Sequence, residues 1–261
     1  HTNAKPKQLD YADTDQTKAW RSEMQAINAW IASADLAFAG LDQAGQLVDV
    51  SRRSLRRIFN NGRFDHGGRL YGGFWQDLSK ERRLEGLTID GEPVVELDFG
   101  QCGPRILYGL AGKQPPDDCY LVPGYENRRD GFKELLNAAR MVGVDGVRRF
   151  PKDTRVLFVG SKLTASEAMR LLLQHNAGIR GLLTADIGPQ VTFRESEILI
   201  DVLLQLKARG IVALPVHDSV VVKQSNAQEA GGVMLEAFRG HTGLEGLVRV
   251  DLSQVARRLV E

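Results

Sequence analysis

Pro93-Val94-Val95-Glu96-Leu97-Asp98-Phe99-Gly100 is an apolar, β-branched run with a carboxylate near its end. Such a run reads as a strand. Leu87-Thr88-Ile89 lies before it, and Asp90-Gly91 between the two is a favoured turn dipeptide, so residues 87–99 are predicted to form a hairpin. A second run, Ala213-Leu214-Pro215-Val216-His217-Asp218-Ser219-Val220-Val221-Val222, repeats the theme. It reads as two apolar arms around a polar centre that holds Asp218. Burying an unpaired charge is costly, so an apolar strand has little use for an ionised Asp. Two such acids on two strands predict a pair of Mg²⁺ ions, with Mn²⁺ as a substitute.

Between the two acids lies Arg129-x-x-x-Lys133. Like charges one helical turn apart are mildly destabilising, so the pair points to an anionic ligand. Two acids for metal and two cations for phosphate are what phosphoryl or nucleotidyl transfer needs.

Outward from these segments, Trp20, Met24, Ile27, Trp30 and Ile31 recur at spacing three and four, which predicts an amphipathic helix over 16–34. Ser51 is read as the cap of a helix over 51–60, stopped by Asn61-Gly62. Residues 64–75 carry four glycines among aromatics and read as short strands whose backbone approaches something closely. Further helices are predicted over 104–110, 127–141, 161–176, 192–209 and 227–240, with a last strand at 248–250. The order is not a regular βα alternation. The predicted class is α+β, a small antiparallel sheet backed by helices.

The chain has 261 residues, of which 43% are hydrophobic and 26% charged, so it has the composition of a globular protein. Its formal net charge of +1 says nothing about partners. From Ser51 to Arg69, however, six arginines (Arg52, Arg53, Arg56, Arg57, Arg63 and Arg69) stand against Asp65 alone, a local +5 suited to nucleic-acid phosphate. Cys102 and Cys119 show no metal or disulfide spacing and are expected to be inert. A reducing cytosolic setting is the default, and no run is long enough to span a membrane. The opening His1-Thr2-Asn3 without Met reads as a tag scar or a trimmed N-terminus of a longer protein.

Taken in order, these segments resemble the palm and fingers of the family A DNA polymerases and their relatives, the single-subunit phage-type RNA polymerases. Gly68-Arg69-Leu70 is similar to the segment that family A sets against primer–template. Val95-Glu96-Leu97-Asp98-Phe99-Gly100-Gln101 resembles motif A, whose Asp holds both metals. Arg129-x-x-x-Lys133 resembles motif B, which grips the incoming triphosphate, and Pro215-Val216-His217-Asp218-Ser219 resembles motif C with the second metal-binding Asp. The resemblance covers about residues 50–223. It implies a palm-like core of 51–112 and 177–261, a reduced helical fingers insertion over 113–176, and a reduced thumb in 1–50.

The departures are specific. Asp98 and Asp218 are 120 residues apart, shorter than the family norm. Asn137 and Met141 stand where motif B has aromatics. Gly103 stands where family A has the Glu that blocks the ribose 2′-hydroxyl, as in single-subunit RNA polymerases, which also have Ser after the motif C Asp, like Ser219.

The resemblance therefore implies a template-directed polymerase with weak sugar discrimination. Asp98 and Asp218 would hold the metals, and Arg129, Lys133, Gln101 and Gly103 would line the nucleotide site. Gly68, Arg69, Arg52, Arg53, Arg56, Arg57 and His217 would lie along the nucleic acid. Its partners would be primer–template, nucleoside triphosphates, and a nuclease, helicase or primase outside this sequence. The setting would be the cytoplasm and nucleoid of a bacterium or mobile element. The alternatives are a non-catalytic nucleic-acid-binding remnant and a primase or terminal transferase. Among the remaining residues, Glu96 is expected in a salt bridge across the sheet. Tyr71, Phe74 and Trp75 are expected in the core, and His217 as a hydrogen-bonded hairpin residue that orients Asp218.

Overall fold

The computed structural model describes residues 8–252, so the opening His1-Thr2-Asn3 lies outside the described residues. The elements, in chain order, are α1 (Asp15–Ser33), β1 (Leu36–Phe38), β2 (Arg56–Phe59), β3 (Gly67–Tyr71), α2 (Lys80–Gly86), β4 (Leu87–Ile89) and β5 (Glu92–Phe99). They continue with α3 (Cys102–Ala111), α4 (Arg129–Val142), α5 (Ala165–His175), α6 (Ile187–Ala208), β6 (Leu214–Val216), β7 (Ser219–Lys223), α7 (Ala227–Thr242) and β8 (Val248–Asp251). The protein is α+β, with an antiparallel sheet backed by helices.

The main sheet runs β1-β4-β5-β7-β6, and β8 joins β5 on the edge it shares with β4. Strand β5 is the hub. Val95 and Leu97 pair with Val222 and Val220 of β7, while Leu97 and Asp98 pair with Val250 and Arg249 of β8. Alternation along β5 sends Leu97 and Phe99 toward α7, where Phe99 and Phe238 rings lie 5.4 Å apart. It sends Glu96 and Asp98 to the opposite face. The Asp90-Gly91 turn has positive φ at both residues, as its composition requires.

Several expectations change. Residues 51–60 do not form a helix. The Ser51 hydroxyl bonds Asp49 at 2.6 Å inside a turn, so it caps nothing. Asn28 of α1 clamps the backbone of Leu55 with both ends of its amide, at 2.8 and 3.0 Å, holding the chain extended into β2. The short elements β1 and α2 carried too few residues to show a period, and both were missed. Helix α5 begins at Ala165 rather than at 161, where Thr164 and Glu167 form a capping box. Helix α6 begins five residues earlier than its apolar spacing suggested.

Trp75 is fully buried and donates its indole N–H to the Pro215 carbonyl at 2.9 Å, which pins the 74–76 turn to β6. Phe74 is also core, as expected, whereas Tyr71 is 38% exposed. Glu96 does form a salt bridge, but with Arg83 of α2 rather than across the sheet. Its Oε2 accepts from Arg83 at 2.8 and 3.1 Å, and its Oε1 accepts from the Ser219 hydroxyl at 3.1 Å. Both charged partners are buried.

Glu96→Ala is therefore expected to destabilise the fold by about 3–5 kcal/mol, because Arg83 keeps its buried charge without a partner. Replacing the pair together by Met and Leu should recover most of that loss. Urea denaturation of the single and double variants measures both.

Candidate active site

Asp98 lies at the end of β5, and Asp218 lies in the two-residue turn between β6 and β7. Asp98 pairs in register with Ser219, so the turn brings Asp218 to the end of the same strand pair. Position 217, at φ +57°, has the left-handed backbone that closes this turn. His217 itself is exposed, and its ring makes no hydrogen bond to a described residue; Tyr71 is its ring neighbour at 6.4 Å. The expected orienting hydrogen bond is absent, and backbone conformation aims Asp218 instead.

Both acids line a cavity of about 240 Å³. Helix α4 forms the facing wall. Arg129, Lys133, Asn137 and Arg140 all reach the cavity, at spacings of four, four and three residues, which is one stripe of a helix. Arg69 of β3, Glu195 of α6 and Arg249 of β8 complete the charged lining. That lining carries five cations (Arg69, Arg129, Lys133, Arg140, Arg249) against three carboxylates (Asp98, Asp218, Glu195).

The charges are unevenly spent. The side chain of Glu195 is 3% exposed and bridges two arginines, accepting from Arg69 at 2.7 Å and from Arg140 at 2.9 Å. Arg129 is held by Asp118 at 2.7 Å and lies over the Tyr120 ring. Lys133 and Arg249 have no ion pair with a described residue. The Nε atoms of Arg69 and Arg140 are buried and unpartnered, so each has a donor still to satisfy.

Asp98 has no hydrogen bond or ion pair among the described residues. Burial, and then the charge of Asp218, pushes its pKa up to about 6, against a smaller opposing pull from Lys80. Burial and then Glu195 raise Asp218 as well, with Arg69 opposing. Two neighbouring carboxylates, both raised by burial, form a hard oxygen donor set. Among the described residues no group of three or more His, Cys, Asp or Glu is placed to hold a metal. Two carboxylates suit Mg²⁺, which takes one or two protein carboxylates and completes its shell with water and substrate phosphate.

Several expected site residues do other work. The Gln101 amide is spent on the 117–119 loop, donating to the Asp117 carbonyl at 3.2 Å and accepting from the Cys119 N–H at 2.8 Å. Arg53 donates to the carbonyls of Val50, Ala34 and Leu36. Arg57 is 4% exposed, pairs with Glu197, and sits among the rings of Trp20, Phe59 and Phe193. Neither arginine is free for a nucleic-acid backbone. The cause is β2: on a strand, Arg56 and Arg57 point to opposite faces, so the four arginines never share one. Arg52 pairs with Asp77, and Arg56 is exposed. Gly68, at φ +83°, does allow a close approach, but to Ser196 of α6, whose hydroxyl would meet an added Cβ at 2.5 Å.

No protein-family model matches the chain, and no curated protein matches it. Among solved structures, it is similar to the POL domain of Pol1 from M. smegmatis in complex with DNA primer-template and dNTP, at 14% identity and a TM-score of 0.41. The match covers 90% of this chain and 50% of that one, so the chain spans about half the length of that structure. The case for a function rests on the site's own geometry.

The largest correction concerns Gly103. The space above it was expected to be open. It is filled by the Arg140 guanidinium, whose Nη1 a Cβ at this position would strike. Glycine is needed here so that Arg140 can reach Glu195. Sequence reasoning also missed Glu195, Arg140 and Arg249. Arg140 was within reach, since it continues the 129–133–137 stripe. Glu195 had a weaker signal, a charged stretch inside an apolar helix. Arg249 had none, because its place depends on the β5–β8 register. Cys102 and Cys119 are buried thiols pushed upward by burial, Cys119 to about 12, which fits their inert reading.

Asp98→Asn should reveal the cost of this charge. The folded-state value of about 6 lies above the ordinary 3.8, so the fold holds the proton more tightly than the unfolded chain does. Stability should then fall as pH rises from about 4 to about 6. In chelator at pH 7 the Asn variant should be more stable than wild type by on the order of 1–3 kcal/mol, with the two converging near pH 4. Urea melts at both pH values test this, and an advantage unchanged at low pH would remove ionisation as the cause.

Proposed function

We propose that this chain is the catalytic core of a nucleotidyltransferase, a template-directed polymerase with a two-metal site at Asp98 and Asp218. The observation that carries the reading is the facing arrangement itself. Two half-buried carboxylates, Asp98 with no ion pair among the described residues, stand opposite one helical stripe of Arg129, Lys133, Asn137 and Arg140 across a shared cavity. The order of the sequence motifs supports the same reading.

A pair of divalent cations would supply Lewis acidity at the attacking hydroxyl and at the leaving phosphate. Asp98 and Asp218 would hold them. The residues of the chain do the rest. Lys133, which has no ion pair among the described residues, and Arg129, aimed by Asp118, meet the triphosphate and balance the charge that grows on the departing pyrophosphate. The primer 3′-hydroxyl oxygen forms a bond to the α-phosphorus, the bond from that phosphorus to the β-phosphate oxygen breaks, and the hydroxyl proton passes to solvent. Arg69 and Arg140, held on the cavity wall by Glu195, add positive charge beside the bound nucleotide or primer end. Arg249, level with Asp98 on the neighbouring strand, adds a further cation for phosphate.

Extension of a labelled primer on a DNA template tests the proposal, with Mg²⁺ and with deoxyribo- and ribonucleoside triphosphates in separate lanes. Template-coded extension is expected, lost in Asp218→Ala and slowed about 10²–10³-fold in Lys133→Ala. The lane that extends identifies the sugar. Binding of primer–template with no extension in any lane would instead support a non-catalytic binding module.

A further inference from the structure

A second cavity, of about 460 Å³, lies between the end of α4 and helix α5, and none of its lining residues belongs to the first. Three arginines converge on it: Arg148, Arg170 and Arg180. All three are exposed, and none of their guanidinium groups has a hydrogen bond or ion pair with a described residue. Elsewhere the chain pairs its arginines readily, as at Arg21, Arg63, Arg83, Arg209 and Arg239. Like charges gathered without partners oppose one another, which favours an anionic occupant.

The carboxylate on the lining is Asp145, which leaves a local excess of 3 − 1 = +2. Glu167, one turn before Arg170, feels its field, but its carboxylate is spent on capping α5 through Thr164, at 2.7 and 2.8 Å. The floor is apolar. Met169 and Leu173 lie one turn apart on α5 and are buried, with Val147 beside them. Guanidinium forks match phosphate oxygens, and an apolar floor with a polarisable thioether suits the face of a base.

Charge beyond the cavity selects among phosphate ligands. From Val144 to Leu182 there are seven basic residues (Arg148, Arg149, Lys152, Arg155, Lys162, Arg170, Arg180) against three acids (Asp145, Asp153, Glu167), a segment net of +4 in a chain of +1. A single small anion needs no such spread, whereas a strand carrying one charge per nucleotide does. We infer that this cavity is a binding site for single-stranded nucleic acid, with Arg148, Arg170 and Arg180 on successive phosphates and a base against Met169 and Leu173. The inference does not depend on the polymerase reading.

The test is fluorescence anisotropy of a labelled single-stranded oligonucleotide of about 12 residues, in chelator and without triphosphate, over a salt series. The variants are Arg148→Gln/Arg170→Gln/Arg180→Gln together and, as a control away from the cavity, Arg209→Gln. The triple variant is expected to bind at least about tenfold more weakly, with a slope of log K against log salt smaller by about 2, since each strand phosphate contributes about 0.7. The control should match wild type. If the triple variant does not fold, Arg170→Gln alone should lower the slope by about 0.7. An unchanged slope and affinity would overturn the inference. So would a mononucleotide that displaces the strand at equal affinity, since the cavity would then be a site for free nucleotides. Failure here would leave the extension assay unaffected, and failure of extension would leave this result standing.

Discussion

Glu195 has almost no contact with water, and it is joined to Arg69 on one side and Arg140 on the other. Burying one carboxylate against two guanidinium groups is tolerable only when all three are held in place, because a lone member would carry an uncompensated charge. The bridge therefore fixes three elements at once: β3 through Arg69, α4 through Arg140, and α6 through Glu195 itself. The α4 stripe faces Asp98 and Asp218 in part because Arg140 is tied there. Gly103 belongs to the same constraint, since any side chain at that position would occupy the path of Arg140.

Around this bridge the site is divided into spent and unspent charge. Arg69, Arg140 and Arg129 have carboxylate partners, which orient them and reduce what they can offer. Lys133, Arg249 and Asp98 have no ion pair among the described residues. A cavity lined this way is rigid where its arginines are braced and unsatisfied where Asp98 and Asp218 meet. That imbalance supports the proposed reading over a purely structural network, which would neutralise its members.

The same distinction separates the two arginine groups outside the first cavity. The run from Arg52 to Arg57 looked like a nucleic-acid surface, yet Arg53 ties three carbonyls and Arg57 lies beneath aromatic rings. Arg148, Arg170 and Arg180 drew no notice in the sequence because they are 22 and 10 residues apart. Folding brings them to one cavity and leaves them free. Linear clustering of charge measured composition, and only packing showed which guanidinium groups remain available.

The hairpins, the long helices and the two acids of the first cavity were legible in the sequence, because period and turn chemistry act over a few residues. Asp90-Gly91 dictates its own turn, and an acid inside a Val-rich strand is anomalous wherever the strand lies. Of the three cations on the α4 stripe, Arg129 and Lys133 were legible and Arg140 was not. Helix at 51–60 was a wrong reading, because a capping serine and a run of arginines satisfy a helix locally, while Asn28 and the β3 edge satisfy the extended chain better from afar. The partner of Glu96, the filling of the space over Gly103 and the place of Arg249 were decided by the tertiary structure alone. Each depends on residues from 13 to more than a hundred positions away, and burial makes such pairings strong without leaving any local pattern to read.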